Sequence, residues 1–244
     1  MIIIPDVHGR IFWKDAIKDR ENEEIVFLGD YNDAYPNEGI TPDQALENFK
    51  EILEFKKAHN ENVVLLIGNH DCHYFAPGFD DASRRCGRLA KKLCEIYLNS
   101  LKLFQLAYEK EINGKKYVFS HAGIHKLWLD DMYGKDKWDE NTIVKQLNED
   151  FQKLEYGFCH GLDSVSYYRG GFESYGSIVW ADCREYDYFK KPDVGERQIY
   201  GHTQLESQPI VTDFRVCLDV RRGFILDNEG VIREIDGTEV EIRK

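Results

Sequence analysis

Five short apolar runs, each breaking into a glycine-flanked polar loop, constrain this chain more than any other feature of its sequence. Ile2–Ile4 leads into Asp6-Val7-His8-Gly9, and Ile25–Leu28 into Gly29-Asp30-Tyr31-Asn32-Asp33. Val63–Ile67 leads into Gly68-Asn69-His70-Asp71, Tyr117–Phe119 into Ser120-His121-Ala122-Gly123, and the shorter Ile199–Tyr200 into Gly201-His202-Thr203. Unbroken apolar runs of this length, bounded by turn residues, read as strands buried on both faces. In α/β sheets the functional groups collect beyond the carboxyl ends of the strands, where rigid strands hold them in place. The loops after these runs are therefore the candidate site.

Between the runs the pattern is helical. Thr41-Pro42-Asp43-Gln44 is a helix start in which Thr41 caps, Pro42 suits the first turn and Gln44 completes a capping box. Ala45, Leu46, Phe49, Ile52 and Leu53 follow as one apolar stripe; Leu89, Leu93, Ile96 and Tyr97 form a second, and Ile143, Leu147, Phe151 and Leu154 a third. Asn113-Gly114 between β-like segments predicts a two-residue hairpin turn. From Ser177 onward helical patterns stop, and short strands punctuated by Asp227-Asn228-Glu229-Gly230 and Asp236-Gly237 predict a β-rich last third. Alternation of strand and helix followed by a run of strands predicts an α/β fold with sheet stacked on sheet. With no internal repeat and no linker, residues 1–244 are expected to form a single domain.

Charge narrows the function. Against 32 Lys+Arg stand 44 Asp+Glu, a formal net charge of −12, which argues against general nucleic-acid binding. The longest apolar run, Val63–Ile67, is far short of the ~18 residues of a membrane span, and the N-terminal residues lack the pattern of a signal peptide. Cys72, Cys86, Cys94, Cys159, Cys183 and Cys217 show no C-x-x-C spacing and read as reduced thiols, so a cytoplasmic protein is expected. The basic segment Arg84-Arg85-Cys86-Gly87-Arg88, with Lys91-Lys92, reads more readily as a solvated helix face than as an anion site.

Asp, His and Asn without a thiolate make an N/O donor set suited to divalent Mn, Fe or Zn. Asp6 and His8, two apart on an extended segment, point to the same side, and Asp30 has two oxygens with which to bridge two ions. Two such ions clamp the attacking and leaving oxygens of an in-line displacement.

In this order over residues 6–203, the blocks D-x-H-G, G-D-x-x-D, G-N-H-D, H-A-G and G-H-T resemble the calcineurin-like metallophosphoesterase superfamily. They are closest to the branch of serine/threonine phosphoprotein phosphatases and diadenosine tetraphosphatases. The resemblance implies a four-layer αββα fold, a β-sandwich flanked by helices, and a site with two divalent ions, Mn first among them. Asp6 and His8 would hold the first ion, Asp30 would bridge, and Asn69, His121 and His202 would complete the second. His70 would be the general acid, oriented by Asp33, and the nucleophile a hydroxide activated by both metals. The expected reaction is hydrolysis of a phosphate monoester on a phosphoprotein or a small molecule. A dinucleoside polyphosphate or phosphodiester is the alternative substrate at the same site, and an inactive metal-bound scaffold the rival of another class. The sequence leaves the oligomeric state open.

Two departures qualify the likeness. Phosphoprotein phosphatases carry an arginine directly after the position of Asp33, where this chain has Ala34, and many phosphodiesterases have a second histidine where this chain has Gln204. Trp180-Ala181-Asp182 resembles the phosphatases' W-S-D segment without an assigned role. For the phosphate itself Arg10, Arg84, Arg85, Arg169, Arg184 and Arg221 are candidates. Arg169, flanked by Gly170-Gly171, is the first choice. His59, His73, His125 and His160 are expected in surface or supporting roles, Cys72, Cys159 and Cys183 in packing. Tyr156, Tyr167, Tyr168, Tyr175, Tyr186 and Tyr188 are expected mainly in the core, with a substrate-groove wall as the alternative.

Overall fold

The computed structural model describes residues 1–188, 192 and 194–242, with Asp187 and Tyr188 in backbone only. Along the first half run β1 (Ile2–Ile4), α1 (Phe12–Ile17), β2 (Ile25–Phe27), α2 (Pro42–Ala58), β3 (Val63–Leu66), the one-turn α3 (Asn69–Cys72), α4 (Ala90–Ser100) and β4 (Phe104–Gln105). The second half holds β5 (Ala107–Ile112), β6 (Lys115–Ser120), α5 (Lys126–Tyr133), α6 (Ile143–Lys153) and α7 (Tyr156–Leu162). It ends in β7 (Arg197–Tyr200), β8 (Ile210–Val211), β9 (Arg215–Cys217), β10 (Phe224–Leu226) and β11 (Ile232–Glu234).

These strands form two sheets, ordered β11-β10-β1-β2-β3-β4 and β5-β6-β7-β9-β8. Within the first, β1 to β4 are parallel; within the second, β6, β7 and β9 are parallel, and the remaining strands pair antiparallel at the edges. Alternation along each strand explains why the runs are uniformly apolar. Ile3, Val26, Leu28 and Leu66 pack between the sheets against Phe119, Ile199, Val216 and Leu218. Their neighbours Ile2, Ile4, Ile25, Phe27 and Leu65 pack outward with Trp13, Leu46, Phe49 and Ile52 of α1 and α2. On the far side Val118 joins Trp128, Leu129 and Leu147 of α5 and α6. The result is the expected αββα stack.

Local signals act as the sequence predicts. Thr41 Oγ1 accepts from Gln44 N at 3.3 Å and Gln44 Oε1 accepts from Thr41 N at 2.8 Å, closing the capping box that starts α2. Asn113 and Gly114, at φ 51° and 71°, turn β5 into β6. One expected loop is a helical turn: α3 begins at Asn69 because the Asp71 carboxylate accepts the Gly68 amide at 2.8 Å. The six cysteines are free thiols, and no described helix is long and apolar enough to cross a membrane.

Phe119 is fully buried between the sheets. Truncating it (Phe119→Ala) should cost about 3–5 kcal/mol of stability, read from the denaturant midpoint; a loss below about 1 kcal/mol would mean the two sheets do not share one core.

Candidate metal centre

The carboxyl ends of β1, β2, β3, β6 and β7 bring together Asp6, His8, Asp30, Asn69, His121 and His202, every one more than nine-tenths buried. Asp30 belongs to two groups of donor atoms, one with Asp6 and His8, the other with His121 and His202. His8 Nε2 and His121 Nε2 each stand 3.5 Å from Asp30 Oδ2. Asn69 Oδ1 and His202 Nδ1 each stand 3.1 Å from His121 Nε2.

Tautomers follow from the neighbours. His8 Nδ1 lies 2.8 Å from the Asn32 carbonyl and His121 Nδ1 lies 2.7 Å from the Leu28 carbonyl. A carbonyl only accepts, so each Nδ1 carries the proton and each Nε2 turns a lone pair inward. The centre is therefore a meeting of acceptors: two carboxylates, an amide oxygen and imidazole lone pairs. His202 Nε2 is in addition buried without a hydrogen-bond partner among the described residues. Such a set is repulsive on its own and fits divalent cations with a taste for N and O donors. Burial, with Asp6 and Asp71 nearby, pushes the Asp30 carboxyl well above the usual range. Burial likewise pushes His8 and His202 well below the ordinary imidazole value, with His70 and Arg169 adding to it.

The backbone is bent to this purpose. His8, Asp30, Asp33 and His202 sit at φ 45°, 53°, 58° and 61°, left-handed conformations that L-residues avoid. Asp30 Oδ1 accepts from His70 N and Asp6 Oδ1 from His202 N, each at 2.9 Å. The close approach demands glycine: a Cβ at Gly68 or Gly201 would lie 2.1 Å from Asp30 Oδ1 or Asp6 Oδ1. Asp71, which the sequence does not distinguish from a contact of His70, instead accepts from the amides of Asp30 (2.8 Å), Tyr31 (3.0 Å) and Gly68 (2.8 Å) and from Tyr97 Oη (2.6 Å). It staples the loop after β2 to the loop after β3.

Beside the cluster, Asp33 gathers three donors. Its Oδ2 lies 3.0 Å from His70 Nδ1 and 2.7 Å from His73 Nε2, and its Oδ1 accepts from the Tyr74 hydroxyl. His73 Nδ1 accepts from Ala82 N at 3.1 Å, which fixes the proton on Nε2 toward Asp33. Burial works to raise the Asp33 pKa, but the bonds from His70 and His73 outweigh it and hold the carboxyl below its ordinary value. The His70 imidazole is lowered to about 4, by burial first and by the Arg84 guanidinium, against the pull of Asp33. Arg84 Nη2 stands 3.2 Å from His70 Nε2, while its Nε donates to Asp33 O at 3.0 Å and its guanidinium lies over the Tyr35 ring, 3.8 Å from the centroid.

Arg84 corrects the reading of the basic segment as a helix face. Helix α4 starts only at Ala90, and Arg84, Arg85 and Arg88 lie in the turns before it, with Arg85 Nε donating to His73 O and Arg88 paired with Asp43. Arg169 lies at the edge of the cluster and is engaged there: Nε is 3.0 Å from Asp182 Oδ2, and Nη2 donates to His202 O (3.0 Å) and Thr203 Oγ1 (2.9 Å). This gives Trp180-Ala181-Asp182 a role. Buried Asp182 anchors Arg169 and Arg184, and Trp180 meets His202 edge-on with ring centroids 5.7 Å apart. With its amide assigned by its partners, Gln204 turns its oxygen to Arg221 Nε at 3.0 Å.

Asp219 and Tyr74 escape sequence reasoning, and His73 is given no partner by it. Asp219, two residues beyond β9, is buried with one carboxylate oxygen unpaired among the described residues, and burial with the Asp6 charge raises its pKa well above normal. It repeats the strand-end pattern, but without a flanking glycine it gives no motif. His73, expected in a surface or supporting role, takes the supporting one, buried just past α3 against Asp33. Tyr74 gives no signal at all. The tyrosine-rich stretch packs only in part as expected: Tyr186 is in the core and Tyr175 lies half-buried against it, while Tyr156, Tyr167 and Tyr168 are exposed; the side chain of Tyr188 lies outside the described residues.

A family model described as calcineurin-like phosphoesterase matches residues 2–205. No curated protein sequence matches the chain. Among solved structures, that of the cold-active protein-tyrosine phosphatase of a psychrophile, Shewanella SP., superposes with a TM-score of 0.65 at 15% identity, covering 99% of this chain and 80% of that one. A further structure of a cold-active protein tyrosine phosphatase gives 0.66 at 15% identity, covering 98% of this chain and 77% of that one. At such identity the likeness is one of fold.

Gly68→Ala tests the centre without relying on turnover. The added methyl displaces the Asp30 carboxylate, so affinity for Mn²⁺ measured by calorimetry should fall at least about tenfold with the far-ultraviolet circular dichroism retained; unchanged affinity would remove Asp30 from the ligand set.

Proposed function

The chain belongs to the calcineurin-like phosphoesterase family and is a hydrolase of phosphate esters, and from that premise we propose that it cleaves phosphate monoesters with two divalent ions held by Asp6, His8, Asp30, Asn69, His121 and His202. The carrying observation is the sharing of Asp30 between two donor groups at the strand ends, with the His70–Asp33 pair directly alongside. Two bound cations at such a site activate water as a nucleophile at neutral pH and neutralise charge on the phosphoryl oxygens. Mn²⁺ is the ion to load first, since N/O donors without a thiolate suit it.

The chain's own groups divide the remaining work. His70 holds Nδ1–H against Asp33, which leaves Nε2 to face the substrate's leaving oxygen. Before substrate arrives the imidazole is neutral at pH 7, because burial and Arg84 disfavour its charge. A phosphate dianion placed between Arg84 and His70 offsets that positive field, so the substrate itself favours the imidazolium that donates the proton. Asp33, kept ionised by its donors, stabilises that charge without taking the proton. Gln204 supports a monoester over a diester, because it stands where many diesterases have a second histidine.

Initial rates of metal-stripped protein on a chromogenic phosphomonoester and its bis-ester, with and without Mn²⁺, test the reading. Mn²⁺-dependent turnover favouring the monoester is expected; preference for the bis-ester, or no turnover of either with metal bound, would refute it. In the same assay His70→Ala should lower kcat roughly 10²–10⁴-fold with bound metal unchanged. Loss of metal from that variant would make His70 a ligand instead.

A further inference from the structure

Next to the acid lies a second cavity-forming feature that the metal centre does not use. A half-open, mainly apolar cavity of about 280 Å³ is walled by Asp33, Ala34, Ile40, Tyr74, Leu89 and Arg84 among others. Two of these walls are the groups that touch His70: Asp33 holds its Nδ1, and Arg84 Nη2 stands 3.2 Å from its Nε2. We propose that this cavity receives the leaving group of the substrate and that this group is a single aromatic ring, as in an aryl phosphate. The inference rests on the monoester reading, in which His70 Nε2 faces the leaving oxygen.

Position, size and chemistry each contribute. The carbon attached to the leaving oxygen must lie within a bond or two of the point where His70 Nε2 and Arg84 Nη2 converge. Arg84 walls the cavity as well as forming that point, and Asp33, bonded to the other side of the His70 ring, is a second wall, while His70 itself does not line it. Its volume of about 280 Å³ exceeds the ~150 Å³ apolar cavity that takes a benzene. It falls just short of the ≈300 Å³ at which pockets for whole drug-sized ligands begin. One ring with a short substituent fits; a dinucleotide does not. Aliphatic walls from Ile40 and Leu89, the Tyr74 ring and the face of a guanidinium favour a flat, polarisable group over a hydrated alkyl polyol. Ala34 leaves the space open, since a long side chain there would fill it. Arg84 itself is held in place by a left-handed backbone (φ 65°), by the Asp33 carbonyl and by the Tyr35 ring.

Non-hydrolysable phosphonates separate binding from turnover. Calorimetric titration of the Mn²⁺-loaded protein should show phenylphosphonate binding at least about tenfold more tightly than methylphosphonate, the worth of burying one ring. In Ala34→Leu, and in Ile40→Trp at the half-buried rim, the ratio should fall below about threefold as the cavity fills. The rim variant keeps the test open should the first fail to fold. Equal affinities in the unaltered protein, or an undiminished ratio in the folded variants, would overturn the subsite. Turnover of ethyl phosphate, which needs no such cavity, judges the monoester reading separately.

Discussion

The site depends first on a carboxylate that stands outside both donor groups around Asp30. Asp71 is completely buried, and it accepts three backbone amides and a tyrosine hydroxyl from two adjacent strand-end loops and α4. Those loops carry Asp30 and Asn69, so their separation, and with it the spacing of the donor groups, is set by Asp71. Burial raises its pKa, and the bonds from Tyr97, Gly68, Tyr31 and Asp30 work against that rise. Removing the carboxylate would orphan several buried donors at about 1–3 kcal/mol each, and the parallel strands behind them could not compensate, since they end where the loops begin. The rigidity of the sheets reaches the chemistry through this one side chain.

A second constraint is stored strain. Four site residues sit in left-handed backbone, each at roughly 1–3 kcal/mol, and the inward-facing donors repel one another. The sandwich core, closed by Ile3, Val26, Leu28 and Phe119 between the sheets, holds this arrangement before any ion arrives. Cation binding then acts on a preformed set: it relieves the repulsion rather than ordering the chain, so most of its free energy appears as affinity.

These two constraints explain what the sequence shows and what it hides. That the six candidate donors, His70 and Asp33 would come together was legible because each follows a buried strand, and a strand end with a glycine leaves a local signature. The fold was legible for the same reason: apolar runs too short for helices mark the strands, and stripes such as Ala45 to Leu53 mark the helices. Arg84, His73 and Asp71 act through contacts across 51, 40 and 41 positions of chain, with Asp33, Asp33 and Asp30 respectively. A basic segment just before an amphipathic stripe looks like part of that helix, and only the turn that ends at Ala90 shows otherwise. Tyr156 to Tyr168 failed differently, since aromatic content alone does not say which side of a surface segment faces inward.

The exchange of Ala34 and Arg84 shows how one donor set can serve different substrates. The resemblance places an arginine directly after Asp33; this chain has a methyl group there and draws its guanidinium from the loop between α3 and α4. The positive charge next to His70 survives the move, because Arg84 Nη2 still reaches Nε2 at 3.2 Å. What changes is the space behind it. A side chain entering along β2's own loop would occupy the volume that Ala34 now leaves empty, whereas one entering from the opposite wall leaves that volume bounded but open. Charge at the reacting atoms and room for the departing group are thus set by different loops, and Ala34 and Arg84 both lie outside the donor cluster. Selectivity can then change by altering Ala34, Ile40 or the Arg84 loop while the strand-end donors, fixed by Asp71 and by Gly68, stay where the chemistry needs them.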